Sequence, residues 1–481
     1  MRRRFCAALA VVSCGLLAAS GGTAAASRAD PSASSQGWGY AQEVPDAGRL
    51  NAGGNAWLGS MSCAFPGDCS AGGSYRDSAG RSQAFVVGEE KGTWREAQEV
   101  PGSSTLNFGR SAGVEAVSCP AGGTCGAGGY YTDSSGHRQG FVVSETRSTW
   151  GKAVELAGLG ALNTGGSAGV YEMSCPSGGN CEAGGSYAVG SQTEAFVAGQ
   201  AAGAWAAATE MPGLAGLNVG GAAVTGALSC PSPGNCSAGG YYTDISGDEQ
   251  AFVASETAGT WSAAQEAPGT ATLNAGGAAQ IYALSCPSAG NCSAGGAYQD
   301  AAGFQQAFVV SEVDGMWGMA REVPGTATLN AGGLAAITSL SCSSAGNCGA
   351  GGYYSQTSSH VQAFVVSETS GTWSAAAEVP GTAALNKRKN GGLSAISCAS
   401  AGSCSAGGYY TNATGQAEVF VITERGGVWG QAAELAGTAK LNRGGFDLIT
   451  ALSCGSAGHC SVGGYYSDGS GHNQVFVAKQ T

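Results

Sequence analysis

The sequence predicts an all-β protein: an eight-bladed β-propeller of four-stranded blades, closed by an N-terminal strand that completes the last blade. Three observations predict it. Trp38, Trp94, Trp150, Trp205, Trp261, Trp317, Trp373 and Trp429 recur at intervals of 55 or 56 residues. Cysteine pairs keep the same beat, at Cys63/Cys69, Cys119/Cys125, Cys175/Cys181, Cys230/Cys236, Cys286/Cys292, Cys342/Cys348, Cys398/Cys404 and Cys454/Cys460. Between these landmarks every copy carries four short strand patterns parted by turn residues, and no stretch shows a helical period. A fixed period of this length marks a repeat architecture.

The fifth copy shows the elements in order. Ala279–Cys286 is the first strand. Pro287 to Asn291 is a Pro/Ser/Gly/Asn turn that leads into the second, Cys292–Tyr298. Asp300 to Gly303 turns into the third, Gln306–Glu312, and Asp314-Gly315 into the fourth, Met316–Val323. Pro324 to Gly333 connects to the next copy. The third strand carries Phe85, Phe141, Phe196, Phe252, Phe308, Phe364, Phe420 and Phe476 in one column, with apolar residues on both sides. Alternation is weak, so both faces of the sheet are expected to be buried. Paired glycines ahead of the tyrosines suit a close approach of neighbouring sheets. Sheets stacked in this way around a ring make a propeller.

The phase of the repeats predicts how the ring shuts. Trp38–Val44 is a fourth strand with no first three before it, and Phe476-Val477-Ala478 is a third strand with no fourth after it. The first segment can therefore complete the last blade and hide two sheet edges. The alternative is an open solenoid, which needs atypical capping repeats. The end repeats here are ordinary.

Composition narrows the function classes. Hydrophobic residues are 43% of the chain, enough for a core; Gly at 84 and Pro at 13 of 481 fall short of the collagen-like or disordered range. The net charge is −12, with few lysines, which argues against nucleic acid or an anionic membrane as partner. Residues 1–26 read as a secretory signal peptide: Arg2, Arg3 and Arg4, then an apolar run to about Ala19, then Ala24-Ala25-Ala26 at the cleavage site. Two variants remain open, a twin-arginine signal at Arg2 to Phe5 and a lipoprotein anchor at Cys14. Residues 27–36 are a polar linker, residues 37–481 the propeller, and no segment is long and apolar enough to be a transmembrane span. The expected protein is extracellular and monomeric.

The unit L-S-C-P-S-x-G-N-C-S-A-G-G-Y-Y…Q-A-F-V resembles secreted actinobacterial propeller repeats, in which a short Cys-bounded turn precedes a Gly-rich strand. Its G-Y…G-x-x-Q-A-F-V stretch is similar to HAF-type extracellular repeats. Ser255 to Trp261 resembles the Asp-box hairpin of sialidase-like propellers, with Thr257 at the Asp position. The resemblance covers residues 38–481 and implies the propeller fold and an extracellular site of action. It implies no activity, because one fold hosts many functions.

The Cys-x5-Cys pairs carry the strongest chemical signal. In an exported protein they imply eight disulfides, each closing a short hairpin loop. Neither His partners at ligand spacing nor Cys-x-x-Cys motifs are present, so no metal or other cofactor is expected. The fourth-strand column Glu43, Glu99, Glu155, Glu210, Glu266, Glu322, Glu378 and Glu434 repeats too faithfully for a single acid–base site. It reads as structural or solvated. The Asp-x-x-Gly turns at Asp77, Asp133, Asp244, Asp300 and Asp468 offer one carboxylate each, against the six oxygens calcium needs. His137, His360 and His472 share a column with Arg81, Asp248 and Phe304 and read as surface drift. No catalytic Ser/His/Asp set is visible.

Symmetry breaks are where function is expected. Two stand out. Lys387, Arg388 and Lys389 place a basic patch in an acidic protein, and Trp57 replaces small residues of the other copies and offers a face for a sugar. The leading expectation is a non-catalytic binding or scaffold protein, with a polysaccharide or a surface protein as candidate partner. The alternatives are a glycan-acting hydrolase or lyase, and a purely structural surface protein. An enzyme predicts clustered unlike charges at the centre of two or three adjacent blades. A scaffold predicts a small-residue channel of near eight-fold symmetry, which the Ala, Ser and Gly of the inner strands favour.

Overall fold

The computed structural model describes residues 37–480. The expected signal peptide with Cys6 and Cys14, the linker and Thr481 lie outside the described residues.

Eight antiparallel sheets follow one another along the chain: blade 1 (residues 57–99), blade 2 (112–155), blade 3 (169–210), blade 4 (224–266), blade 5 (280–322), blade 6 (336–378), blade 7 (391–434) and blade 8 (447–479). The first strands touch in sequence from blade to blade, and that of blade 8 touches that of blade 1, so they form a closed inner ring. Blade 8 receives its fourth strand from Gln42–Glu43, with Gln42 opposite Val477 and Glu43 opposite Phe476. Trp38 bridges Gln480 in the same line. The ring is thus closed by the N-terminal strand, as the phase of the repeats predicts.

The fourth strand is not continuous. In blade 5, Met316–Trp317 and Arg321–Glu322 both pair with the third strand Gln305–Val313, and residues between them leave the ladder. The register explains the break. Trp317 faces Glu312 and Glu322 faces Phe308, so five steps on the outer strand span four on its partner. One surplus residue must bulge out. Each connection between blades also makes one helical turn, such as Thr326–Leu329, entered through a glycine such as Gly325 at φ 83°, or through Asp46 at φ 63° ahead of blade 1. A single turn has no period to read, and the left-handed entry suits only glycine without strain.

Three repeated devices hold the ring. Apolar cores lie in the seams between blades: Leu58 and Phe85 of blade 1 pack with Val475 and Val477 of blade 8, and seven like clusters follow. The serine before each first cysteine accepts a hydrogen bond from the cysteine amide of the next blade, as in Cys119 N–H to Ser62 Oγ at 3.0 Å. This recurs at every seam, ending with Cys63 N–H to Ser453 Oγ at 3.0 Å across the closure. Asn51 and its seven counterparts clamp the connections. Asn330, for example, donates to Gln305 O and Gln306 Oε1, both at 2.9 Å, and accepts from Leu334 N–H at 2.8 Å.

All eight cysteine pairs form disulfides: Cys63–Cys69, Cys119–Cys125, Cys175–Cys181, Cys230–Cys236, Cys286–Cys292, Cys342–Cys348, Cys398–Cys404 and Cys454–Cys460, with Cα atoms 3.9–4.1 Å apart. They fit an oxidising, extracellular compartment. They do more than close the loops. The second cysteine of every pair is buried, at Cys69, Cys125, Cys181, Cys236, Cys292, Cys348, Cys404 and Cys460. The reason is that this residue begins the second strand, which lies between two others, and its sulfur faces the neighbouring sheet. Cys69 packs in one core cluster with Phe85 and Trp94, Cys125 with Phe141 and Trp150, Cys181 with Phe196 and Met173, and Cys460 with Phe476 and Trp38. The sulfurs are therefore core atoms as well as cross-links, and none of these eight cysteines offers a surface site. Among the described residues no helix is long and apolar enough to cross a membrane.

Candidate functional site

The repeat columns singled out in the sequence go to structural work. In the fourth-strand glutamate column, Glu99, Glu155, Glu322, Glu378, Glu434 and Glu43 each accept a hydrogen bond from the second tyrosine of a Gly-Gly-Tyr-Tyr-type segment, as in Tyr131 Oη–H to Glu155 Oε2 at 2.6 Å. Asp77 closes its own turn, with Oδ1 accepting the amides of Ala79 and Arg81 at 2.9 Å and Oδ2 the side-chain amide of Gln83 at 3.1 Å. A second acidic column, unnoticed in the sequence, ends the third strand. Glu145, Glu312 and Glu368 are buried in the seams and accept from serines of the preceding blade.

The axis is different. The innermost strands meet in a ring, and one column of side chains on them, outside the seams, is part-exposed around the axis. Four residues before the first cysteine, the eight blades carry Gly59, Glu115, Tyr171, Gly226, Tyr282, Thr338, Ser394 and Thr450. The expected small-residue channel of near eight-fold symmetry is therefore not what the chain builds. The first tyrosine of the Tyr-Tyr pair lies beside the start of the next innermost strand. A Cβ placed on Gly392 of blade 7 would meet Tyr353 of blade 6 at 3.4 Å and Tyr409 at 3.2 Å. The channel mouth on the face of the connections is thus flanked by tyrosines at positions 130, 241, 353, 409 and 465, all part-exposed, where blades 1, 3 and 5 carry Ser74, Ser186 and Ala297.

Two clusters of unlike groups sit at this mouth. In blades 2 and 3, the Arg138 guanidinium lies 3.7 Å from the centre of the Tyr130 ring, donates to Tyr171 Oη at 3.2 Å and approaches Glu115 Oε1 at 3.7 Å. Glu172, next to Tyr171, has no such partner. Burial, with the Glu115 charge behind it, pushes its carboxyl up to about 8. Glu115 is also raised by burial, less so because Arg138 opposes the shift. In blades 4 to 6, Tyr282 lies within electrostatic reach of Tyr353, Glu249 and Tyr241, and burial first, then these neighbours, push its phenol up.

Trp57 is part-exposed at the start of the blade 1 inner strand, opposite Ser74, and its ring covers Gly59. It belongs to the mouth. Lys387, Arg388 and Lys389 are exposed in the connection to blade 7, where Arg388 donates to Ala413 O at 3.1 Å and Lys389 takes the left-handed conformation, φ 65°, that Arg110 takes in the connection to blade 2 and glycine in the others. They share the face of the mouth, on a different connection from the one that precedes Trp57.

Two further features are part of the repeat rather than sites. A cavity of about 370 Å³ opens between blades 5 and 6 on the disulfide side, near Arg321, Glu368 and Trp373. It recurs at about 210 Å³ in the next seam. Glu182 and Glu256 lie with Cys236 Sγ at ligand spacing, but that sulfur is held in a disulfide, which leaves two carboxylates, too few for a metal.

Neither a family model nor a curated protein matches the sequence. Solved structures match in fold. Sqt1 of Chaetomium thermophilum, bound to the N-terminus of ribosomal protein L10, superposes with a TM-score of 0.50 at 12% identity, over 89% of this chain and 98% of that one. A protein of unknown function from Dyadobacter fermentans gives 0.40 at 10% identity, over 92% and 98%. Trypanosoma rangeli sialidase, in complex with the inhibitor DANA, gives 0.31 at 8% identity, over 88% and 55%. At these identities the likeness shows the fold alone: the chain is an eight-bladed β-propeller.

Proposed function

We propose that the protein is a secreted carbohydrate-binding propeller and that its ligand enters the axial mouth on the face of the connections. One observation carries the reading. The ring repeats its structural columns almost without change, yet at the axis it varies them and concentrates aromatic and charged groups there. Tyrosine faces and Trp57 suit stacking on sugar rings, and nearby carboxylates and amides suit hydroxyl groups. The basic segment Lys387 to Lys389, on the same face, provides a peripheral contact for anionic groups of a cell wall.

A second reading has its own support. Glu115 and Glu172 lie on the inner strands of adjacent blades, and burial and the Glu115 charge raise the Glu172 carboxyl above that of an ordinary glutamate. Glycoside hydrolysis uses two carboxyl groups of unlike protonation.

One experiment separates them. Residues 27–481 are incubated with insoluble cell wall, chitin, cellulose and starch, and both depletion from solution and released reducing sugar are measured. The expected result is selective depletion without sugar release, weakened by Trp57→Ala and Tyr282→Ala. Sugar release that disappears in Glu172→Gln replaces the binding reading with the hydrolase. Neither depletion nor release overturns both.

A further inference from the structure

We infer that the part of the mouth formed by blades 4 to 6 is a cage for an ammonium group, and that its ligand is the free amine of a de-N-acetylated amino sugar. The inference rests on the carbohydrate reading and names the class of sugar.

The cage is built around Glu249, at the start of the blade 4 third strand. Its Oε2 accepts from Gln280 Nε2 at 2.6 Å, the only hydrogen bond its side chain makes among the described residues. No Lys or Arg among the described residues balances its charge, and burial raises its carboxyl above the ordinary range. Gln280 is 6% exposed, and its Oε1 finds no donor. Its amide orientation is fixed, because reversing it would set oxygen against the Glu249 oxygen. Tyr282, two residues on from Gln280, lies within electrostatic reach of Glu249, Tyr241 and Tyr353, and Tyr353 Oη accepts from Gln305 Nε2 at 3.4 Å. Tyr282 is 39% exposed on an innermost strand, so its ring is open to the channel.

What the cluster lacks is a donor with positive charge. Among the described residues Gln280 Oε1 is a buried acceptor without a partner and Glu249 Oε1 accepts no hydrogen bond, and tyrosine faces attract cations. An ammonium group brings three donors and one charge. A neutral hydroxyl brings one donor and leaves the carboxylate unbalanced, and an acidic sugar is repelled by it. Beyond the cage the tyrosine of blade 7, Tyr409, continues the aromatic wall against Gly392, which gives the neighbouring sugar ring of an oligomer a flat seat.

Calorimetric titration at neutral pH and low salt tests this, using the β-1,4-linked glucosamine trimer, its fully N-acetylated counterpart and a lysine tripeptide. The glucosamine trimer is expected to bind about tenfold more tightly than the acetylated one. Glu249→Gln should erase that preference. Tyr282→Ala should weaken the glucosamine trimer about tenfold while Tyr282→Phe, which keeps the ring face, should not. Tyr282 is open to the channel, so its variants test the cage even where Glu249→Gln disturbs the local packing. Equal binding of the two sugars, or a preference untouched by Glu249→Gln and Tyr282→Ala, overturns the cage but leaves the carbohydrate reading standing. Binding of the lysine tripeptide alone overturns it in favour of a protein ligand. No binding of any probe overturns it outright, and the insoluble-glycan experiment then decides the broader reading separately.

Discussion

Replacing Glu182 by serine should stabilise the ring in alkaline solution and not in acid. The position after the second cysteine is serine in blades 1, 4, 5, 7 and 8, where it meets the buried third-strand acid or amide of the next blade. In blade 3 the same place holds a glutamate, 6% exposed, against Cys236 and beside Glu256. Trp261 Nε1–H donates to its Oε1 at 3.3 Å. Burial first, and the Glu256 charge second, push the Glu182 carboxyl from the ordinary 4.5 to about 8. An acid raised in the folded state leaves stability intact below the unfolded value and withdraws it as pH climbs through the folded one. The window here runs from about 4.5 to about 8. At about 1.4 kcal/mol per pKa unit, ionising Glu182 inside the seam costs on the order of 5 kcal/mol by pH 9. The variant Glu182→Ser should therefore lead the parent by roughly that amount at pH 9. In a ring of this length the lead is a rise of about 5 °C in Tm. It should vanish or reverse near pH 5, where protonated Glu182 can donate to Glu256. Calorimetric scans of both proteins from pH 5 to pH 9 measure it. A lead independent of pH, or a variant less stable than the parent at pH 9, would refute the reasoning.

Two predictions concern the ring itself. Asp447 replaces a buried small residue at the start of the blade 8 inner strand, where seven blades carry Ala or Gly. It is 0% exposed and its carboxylate oxygens lack well-formed hydrogen bonds; burial together with Glu418 and Glu434 raises its carboxyl well above the ordinary range, against a weaker pull from Asn442. Asp447→Ala should stabilise the protein by about 2 kcal/mol or more at pH 8, with the gain shrinking toward pH 4, as read by denaturant unfolding. Ser453→Ala should cost about 1–3 kcal/mol by orphaning the Cys63 amide at the closure, and hydrogen exchange should quicken first at Cys63 rather than at the seven like amides.

The architecture was open to reading because the residues that build it repeat. Trp, Phe, Glu and Cys columns mark strands and turns eight times over, and any one ambiguous copy is corrected by the others. The cysteine spacing showed which sulfurs pair, but the burial of Cys69 or Cys460 follows from the neighbouring sheet, which the spacing does not describe. The split fourth strand was hidden because it depends on counting steps across a ladder: Trp317 and Glu322 are five residues apart, their partners four. The candidate site was mostly illegible for the opposite reason. Glu115, Tyr171 and Tyr282 share a column with glycine, serine and threonine, so a consensus discards them. Their signal was present as a variable position between near-constant neighbours. Trp57 was visible because it is large and alone. Arg138, which joins Tyr130, Tyr171 and Glu115, sits in a strand where its neighbours along the chain say nothing of the axis. Only the closed ring brings blades 2 and 3 together there.

The serine-to-cysteine bonds that run from blade to blade have one more consequence. Each seam presents the same backbone, the same disulfide and the same bond geometry, while the side chain at the position of Glu182 varies among serine, glycine and glutamate. The molecule therefore contains eight parallel versions of one interface, differing by a few atoms and sharing one solvent, one temperature and one sample. Differences in opening rate between seams report what those atoms do, with the rest of the protein as the common reference.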